Sequence, residues 1–421
     1  MAAVSWTVRV KPPYWWRRLG AGLVTGAADD DPSGVATYSQ AGAQFGYGVL
    51  WTAVFTLPLM IGIQMVSAHV GRVTGRGLVA NMRRVMPHWI VSSLMALLLI
   101  NNVINLGADI GAMGQAAALV MGGRSTMYAL GLALLSLGLE TFVPFPRYAP
   151  WLKMMTLSLF AYVLTACIID IPWRTLVLQM WPHHVDHAYL ITITAVLGTT
   201  ISPYLFFWQA SQEAEEEEAD PDASPLLQVP TQARDAFARI RTDTNIGMVY
   251  SNAVAFFIML TAAAVLHIHD FTTIRSSADA AQALQPLAGP FAALLFSLGI
   301  IGTGLLAVPV LAGSAAYAVT EALGVRGGLG SKPAQARVFY AILGGATLLG
   351  TLMTLSPIDP IRLLFWSAVI NGVISVPLMA VIMWLSGRPS VMGEFNVRGP
   401  LRWLGWTATA IMAIAACGVI T

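Results

Sequence analysis

Gly26-Ala27-Ala28-Asp29-Asp30-Asp31-Pro32-Ser33-Gly34-Val35-Ala36-Thr37-Tyr38 places three carboxylates, a proline and two glycines inside a run otherwise apolar enough to cross a membrane. A carboxylate in hydrocarbon costs about 3 kcal/mol or more, so these side chains are expected to face a cavity or a cation. Pro32 has no amide hydrogen and disfavours helical backbone at Asp31, so a helix break is expected over Asp31–Gly34. Broken backbone at membrane depth survives only where protein or a cavity satisfies it. A carboxylate-bearing break is what the passage of a cation requires.

The rest of the chain fits that setting. Of 421 residues, 56% are hydrophobic and only 10% charged, and the mean hydropathy is +0.68, which excludes an ordinary soluble domain. A net charge of +2 gives no reason to expect nucleic acid as a partner. Cys167 and Cys417, about 250 residues apart in apolar runs, read as two buried thiols. Residues 1–14 lack a signal-peptide pattern, so span 1 itself is expected to direct insertion.

Eleven spans are read, at 19–45, 49–70, 89–121, 127–143, 151–171, 190–212, 247–266, 290–323, 338–355, 361–385 and 401–420. With the N-terminus inside, only Arg124, Arg174, Arg275 and Arg362 of the 23 Lys and Arg fall outside. An odd span number then leaves the C-terminus outside.

A second break is expected in span 6, where Gly198-Thr199-Thr200-Ile201-Ser202-Pro203-Tyr204 carries a mid-span proline. Interrupted spans five apart point to two inverted repeats with a site at the midplane. The expected organisation is a tail (1–18), a first repeat of spans 1–5 (19–175), a second of spans 6–10 (176–390) and an appended span 11 (391–421). Ordinary proline kinks are the plainer reading, but a kink needs no charge beside it.

The run Asp31-Pro32-Ser33-Gly34-Val35-Ala36-Thr37-Tyr38-Ser39-Gln40-Ala41-Gly42-Ala43-Gln44-Phe45-Gly46-Tyr47 resembles the span-1 signature of Nramp divalent-metal transporters, which begins Asp-Pro-Gly-Asn. Val73-Thr74-Gly75-Arg76-Gly77-Leu78 is similar to that family too. The resemblance covers roughly 18–400 and is strongest over 30–78. It implies an all-helical LeuT-type fold, movement of a divalent metal ion as substrate, no permanently bound cofactor, and no catalytic residue. The family's metal-binding aspartate maps onto Asp31. Its asparagine maps onto Gly34, and its Ala-x-x-Met-Pro onto Thr199-Thr200-Ile201-Ser202-Pro203, so a thioether is replaced by Ser202.

These departures leave Asp31, Gly34, Thr199, Thr200 and Ser202 as a metal site without a soft ligand. Oxygen donors suit Mg, Ca and Mn, and smaller side chains leave room for a hydrated ion such as Mg²⁺. The sequence thus resembles the outlying Nramp-related group that includes magnesium transporters. The family's span-6 histidines map onto Tyr204 and Gln209. Its span-3 acids map approximately onto Ala108 and Gly111, with Asp109 displaced by one position, so protons have no evident relay. An uncoupled carrier of Mg²⁺ or Mn²⁺ is the expectation, with a proton-coupled Mn²⁺/Fe²⁺ symporter and an amino-acid carrier as alternatives.

Further residues are read as a possible path: Asp30 at the break, Gln209 and Glu213 on one helical face toward the cytoplasm, and Asn371 in span 10. Asp29 either lines that path or pairs with polar groups. Asn371 and Ser375 serve either as helix–helix hydrogen bonds or in the ion's surroundings. Thr25, Thr37 and Gln44 could add oxygens. Glu215–Asp220 reads as a solvated loop, and His183, His184, His187, His267 and His269 as a weak external chelating cluster. Partners are limited to the lipid bilayer and the metal ion, with no obligate protein partner. The expected location is a bacterial inner membrane. No protease, nucleophile or phosphate-cradling motif suggests an enzyme.

Overall fold

The computed structural model describes residues 20–143, 154, 157–182, 185–325, 327–356 and 359–420, and among them all regular structure is helical. The first span is split into α1 (Ala21–Asp29) and α2 (Pro32–Phe45). The break falls at Asp30-Asp31, slightly earlier than expected, and Gly34 lies inside α2. Asp31 is the N-cap: its backbone is extended and its Oδ1 accepts the Gly34 amide at 2.7 Å. Pro32 follows at the first helical position, where its missing donor is no loss.

Next come α3 (Trp51–Thr74), α4 (Leu78–Val85), α5 (His88–Met121) and α6 (Ser125–Phe142). In and just beyond the fifth predicted span, α7 (Phe160–Ile168) and α8 (Trp173–Gln179) follow, and the pair Leu157–Ile168 and Trp173–Gln179 is bent by 111°. Span 6 is split as span 1 is, into α9 (His187–Thr200) and α10 (Pro203–Ala219), with extended Ser202 before Pro203. The chain continues through α11 (Ala233–Val265), α12 (Ala292–Leu323), α13 (Arg337–Met353), α14 (Pro360–Ser386) and α15 (Gly399–Ile420).

Eight helical segments among the described residues are long and apolar enough to cross a membrane. The bent pair, whose α8 lies beyond the expected end of the fifth span, makes a ninth if taken as one span; the broken first span and the short α13 do not reach that measure.

Packing around the two breaks is reciprocal. α11 lies against α1 and α2, while α3 lies against α10, and α5 and α12 form the central contact. Glycine permits both approaches: a Cβ on Gly26 would fall 2.2 Å from the Gly247 carbonyl oxygen, and one on Gly71 2.2 Å from that of Ala210.

Three expectations are corrected here. The run Glu215–Asp220 is not a loop, because α10 continues to Ala219, with Glu217 buried against Arg72 at 2.8 Å. Helix α11 starts at Ala233 instead of Gly247, because its charged first turns pair with that acidic end of α10. Cys167 and Cys417 are exposed, lying on helix faces directed away from the protein interior.

Candidate cation site

Asp29, Asp30 and Asp31 are 1%, 0% and 3% exposed, so the first break is fully enclosed. The Tyr204 hydroxyl, from the first turn of α10, lies 3.3 Å from Asp31 Oδ2 and 3.1 Å from the Ala28 carbonyl. Ser251 of α11 reaches Asp29 Oδ2 at 2.6 Å and Asp30 Oδ1 at 3.3 Å. One hydroxyl proton serves one of those oxygens at a time. Asp29 Oδ1 and Asp30 Oδ2 have no hydrogen-bond partner.

Helix α5 adds a residue that the family register passes over. Asp109 is fully buried, no close hydrogen bond reaches either of its oxygens, and the Ser33 amide and the Asp31 carboxylate both act on it electrostatically. That register puts the span-3 acids one position away, yet the stripe Asn101, Asn105, Asp109 at four-residue spacing marks this face of α5. Four buried carboxylates therefore surround one break. Among the described residues none of them has a Lys, Arg or His within ion-pair distance; the ion pairs are Arg72–Glu217, Arg239–Glu213 and Arg239–Glu216.

The second break supplies hydroxyls, and most are engaged. Ser202 Oγ donates back to its own helix end, 2.7 Å from the Thr199 carbonyl and 3.1 Å from that of Gly198, and accepts from Asn371 Nδ2 at 3.3 Å. Asn371 Oδ1 in turn accepts from Asn101 of α5, and Ser375 Oγ lies 3.3 Å from the Ile201 carbonyl. Asn371 and Ser375 thus brace the break against α14 and α5. Thr200 Oγ1 pairs with the Tyr38 hydroxyl at 3.0 Å and donates to Val196. Thr199 is different: its Oγ1 would lie 3.3 Å from a Cβ on Gly34, as would the Asp29 carbonyl oxygen. The room that a family asparagine side chain would fill is thus shared by a hydroxyl and a carbonyl.

The donors that converge are Asp31, Asp109, the Thr199 hydroxyl and backbone carbonyls of the α1 end, all hard oxygens. No group of three His, Cys, Asp or Glu is placed to ligate a metal directly among the described residues, so water or carbonyl oxygens must complete any shell.

The two ends of the bundle differ. Toward the end bearing Arg275 and Arg362, a cavity of about 550 Å³ reaches Ala36, with Gln40 and Gln44 along the same face of α2. Ser33, near Ala36 on α2, donates its hydroxyl to the Leu364 carbonyl at 3.1 Å. Toward the opposite end the side chains below the break are engaged with one another. Gln209 is held by Gln64 and by Thr244 at 3.0 Å, and Glu213 is buried against Arg239. Asp243 accepts the Gly22 and Leu23 amides at 2.7 and 3.0 Å, tying the α1 start to α11. Gln209 and Glu213 are therefore both buried and engaged with side chains of α3 and α11.

Of the minor candidates, Thr25 bonds within its own helix, Gln44 bonds Gln40, and Thr37 Oγ1 is buried without a partner. Among the described residues no histidine cluster is formed: His267 and His269 face the Ala43 and Val265 carbonyls, and His183 and His184 lie outside the described residues.

Two broken helices facing each other across buried carboxylates, within a bundle of membrane-length helices, define a membrane transporter of the broken-helix kind. The chain belongs to the Nramp family: the profile described as natural resistance-associated macrophage protein-like matches residues 22–421. Members of that family are transporters and not enzymes. The chain is 27% identical to a divalent metal cation transporter MntH of Acidiphilium cryptum, over 96% of this chain and 89% of that one. It is 27% identical to the MntH of Yersinia enterocolitica over 70% and 71% of the two chains. A manganese transporter of Eremococcus coleocola has the same fold, with TM-score 0.76, 14% identity and 97% and 88% coverage. Mhp1, a nucleobase-cation-symport-1 family transporter, superposes with TM-score 0.56 at 13% identity over 95% and 92%. The fold is thus one that carriers of unlike substrates share.

Proposed function

We propose that this protein carries a divalent metal cation across a bacterial inner membrane into the cytoplasm, with Mg²⁺ or Mn²⁺ as the cation. One observation carries this reading: four buried carboxylates surround the first break with no cationic side chain paired to them among the described residues. Buried unpaired charge is costly, and a passing cation is the partner that offsets it. Asp31 is the central ligand, with Asp109 beside it and Thr199 at Gly34. Thr200 and Ser202 act indirectly, by shaping the second break. The family relationship and the MntH relatives support the substrate class.

The lean toward Mg²⁺ rests on the oxygen-only donor set, since Ser202 stands where a thioether would favour later transition metals. Transport without proton coupling is supported by the polar neighbours of Asp109 along α5: Asn105, Asn102 and Asn101 are amides that do not titrate. Entry into a negative interior supplies about 4–5 kcal/mol for a divalent ion at 100 mV, at about 2.3 per charge. Asp109 itself is the observation that favours the proton-coupled alternative, since a carboxylate beside Asp31 can accept a proton.

The orientation that fits is eleven spans with the inner, basic end in the cytoplasm and the C-terminus outside. The matched packing of α11 on α1 and α2, and of α3 on α10, supports two inverted repeats within 19–175 and 176–390.

The test is uptake into proteoliposomes of Mg²⁺, Mn²⁺ and Ca²⁺, with an internal pH dye and Asp31→Ala alongside. Mg²⁺ entry without acidification, lost in Asp31→Ala, is the expected result. Mn²⁺ entry with acidification would replace it with the symporter; no flux of any ion would remove the metal reading.

A further inference from the structure

At the inner end, a cavity of about 650 Å³ opens between the end of α6, the acidic part of α10, the loop after α12 and the start of α13. Glu140, Glu215, Glu216 and Glu218 line it against a single basic side chain, Lys332. Glu216 is engaged by Arg239, whereas Lys332 forms no ion pair among the described residues.

Glu140 is the informative member. It is 3% exposed; Oε1 accepts the Ser136 hydroxyl at 2.8 Å, and Oε2 is buried with no partner. Glu215, across the cavity, faces the Tyr317 hydroxyl and receives two longer contacts, 3.5 Å from Gln212 Nε2 and 3.4 Å from the Gly330 amide. Tyr340, whose hydroxyl is committed to the Ser331 carbonyl, lies within electrostatic reach of both carboxylates. Both therefore border one space, and a buried carboxylate oxygen without a donor leaves a desolvation cost that a cation would offset.

We infer that this cavity is a second cation site, separate from the helix breaks, holding a hydrated divalent cation between Glu140 and Glu215. The ion keeps its water because no three acidic, His or Cys side chains converge there among the described residues. Six waters at about 30 Å³ each need about 180 Å³, well within the space available. Mg²⁺ is commonly bound in this way, through one or two carboxylates and retained waters.

The position gives the site a consequence. Glu215 belongs to α10, the helix that begins at the second break, and its Oε1 lies 1.2 Å from where a Cβ on Gly328 would stand. A cation here ties α10 to α6 and to the 328–331 loop, so occupancy opposes any movement of α10. Because the cavity lies at the end proposed to face the cytoplasm, accumulated internal cation slows further entry; this consequence rests on the proposed function, whereas the binding itself does not.

The experiment measures Mn²⁺ binding by electron paramagnetic resonance to the full chain in nanodiscs, carrying Asp31→Asn to disable the break. Bound Mn²⁺ displaced by Mg²⁺ is expected, with affinity lowered about 10-fold or more by Glu140→Gln and likewise by Glu215→Gln. Thermal melting without metal checks folding; Glu140→Gln is expected not to lower it, since a buried charge is removed. Absence of Mn²⁺ binding in the Asp31→Asn chain, or binding undiminished in both Gln variants, overturns the site. In proteoliposomes, Mg²⁺ loaded inside is expected to slow uptake by the native chain and not by Glu140→Gln. Equal slowing in both would leave binding intact and remove the regulatory role.

Discussion

Carboxylates at the first helix break and those where α10 packs on α3 and α11 are equally buried yet treated in opposite ways. Glu213 and Glu217 are 0% and 7% exposed, and each is matched by an arginine, Arg239 and Arg72. Asp29, Asp30, Asp31 and Asp109 are as deep and are matched by hydroxyls, amides or nothing. A fixed cation neutralises a site permanently, so it suits a structural contact; leaving the charge open suits a site that a mobile cation must enter and leave. Stability and function are therefore expected to part company between the two regions.

The largest effect is expected from Asp31→Asn. It should abolish divalent-cation uptake, while thermal melting in metal-free buffer stays level or rises, because an unpaired buried charge is removed. A drop in melting temperature with uptake retained would erase the contrast. Arg239→Ala should do the reverse. It strands Glu213, at a cost of about 3 kcal/mol for breaking a buried pair, the low end of the range because Arg239 is a quarter exposed. Adding Glu213→Gln should restore most of that loss in a denaturation series; no rescue would mean the stranded charge is not its cause.

Asp109→Asn is expected to weaken Mn²⁺ binding about 10-fold without loss of stability, read by titration and melting on the same sample. Were acidification by uptake present in the native chain and absent here, Asp109 would be the proton carrier and coupling would be established. Ser202→Met should move selectivity from Mg²⁺ toward Mn²⁺, measured by competition uptake, since it offers the break a soft sulfur. Tyr38→Phe is the smallest change: it removes the 3.0 Å contact with Thr200 and should cost about 1 kcal/mol of stability.

Sequence alone determined the membrane setting and both breaks. Those features are local: proline geometry acts on adjacent residues, and burying a carboxylate in an apolar run is costly wherever the run packs. The Ser202-for-Met exchange was legible only through the resemblance to the Nramp family. Tertiary structure decided what depends on rotation and pairing between distant helices. Asp109 meets Asp31 only because α5 presents that face to α2, and a one-position shift of register hid it. The helix over Glu215–Ala219 is stabilised by Arg72 and Arg239, which lie far away along the chain, so a run of four glutamates read locally as a solvated loop. The engagement of Gln209 and Glu213 was hidden likewise, because their partners Gln64, Arg239 and Thr244 come from other helices. Which charge stays unpaired is a property of the whole packed bundle, and no single stretch of sequence encodes it.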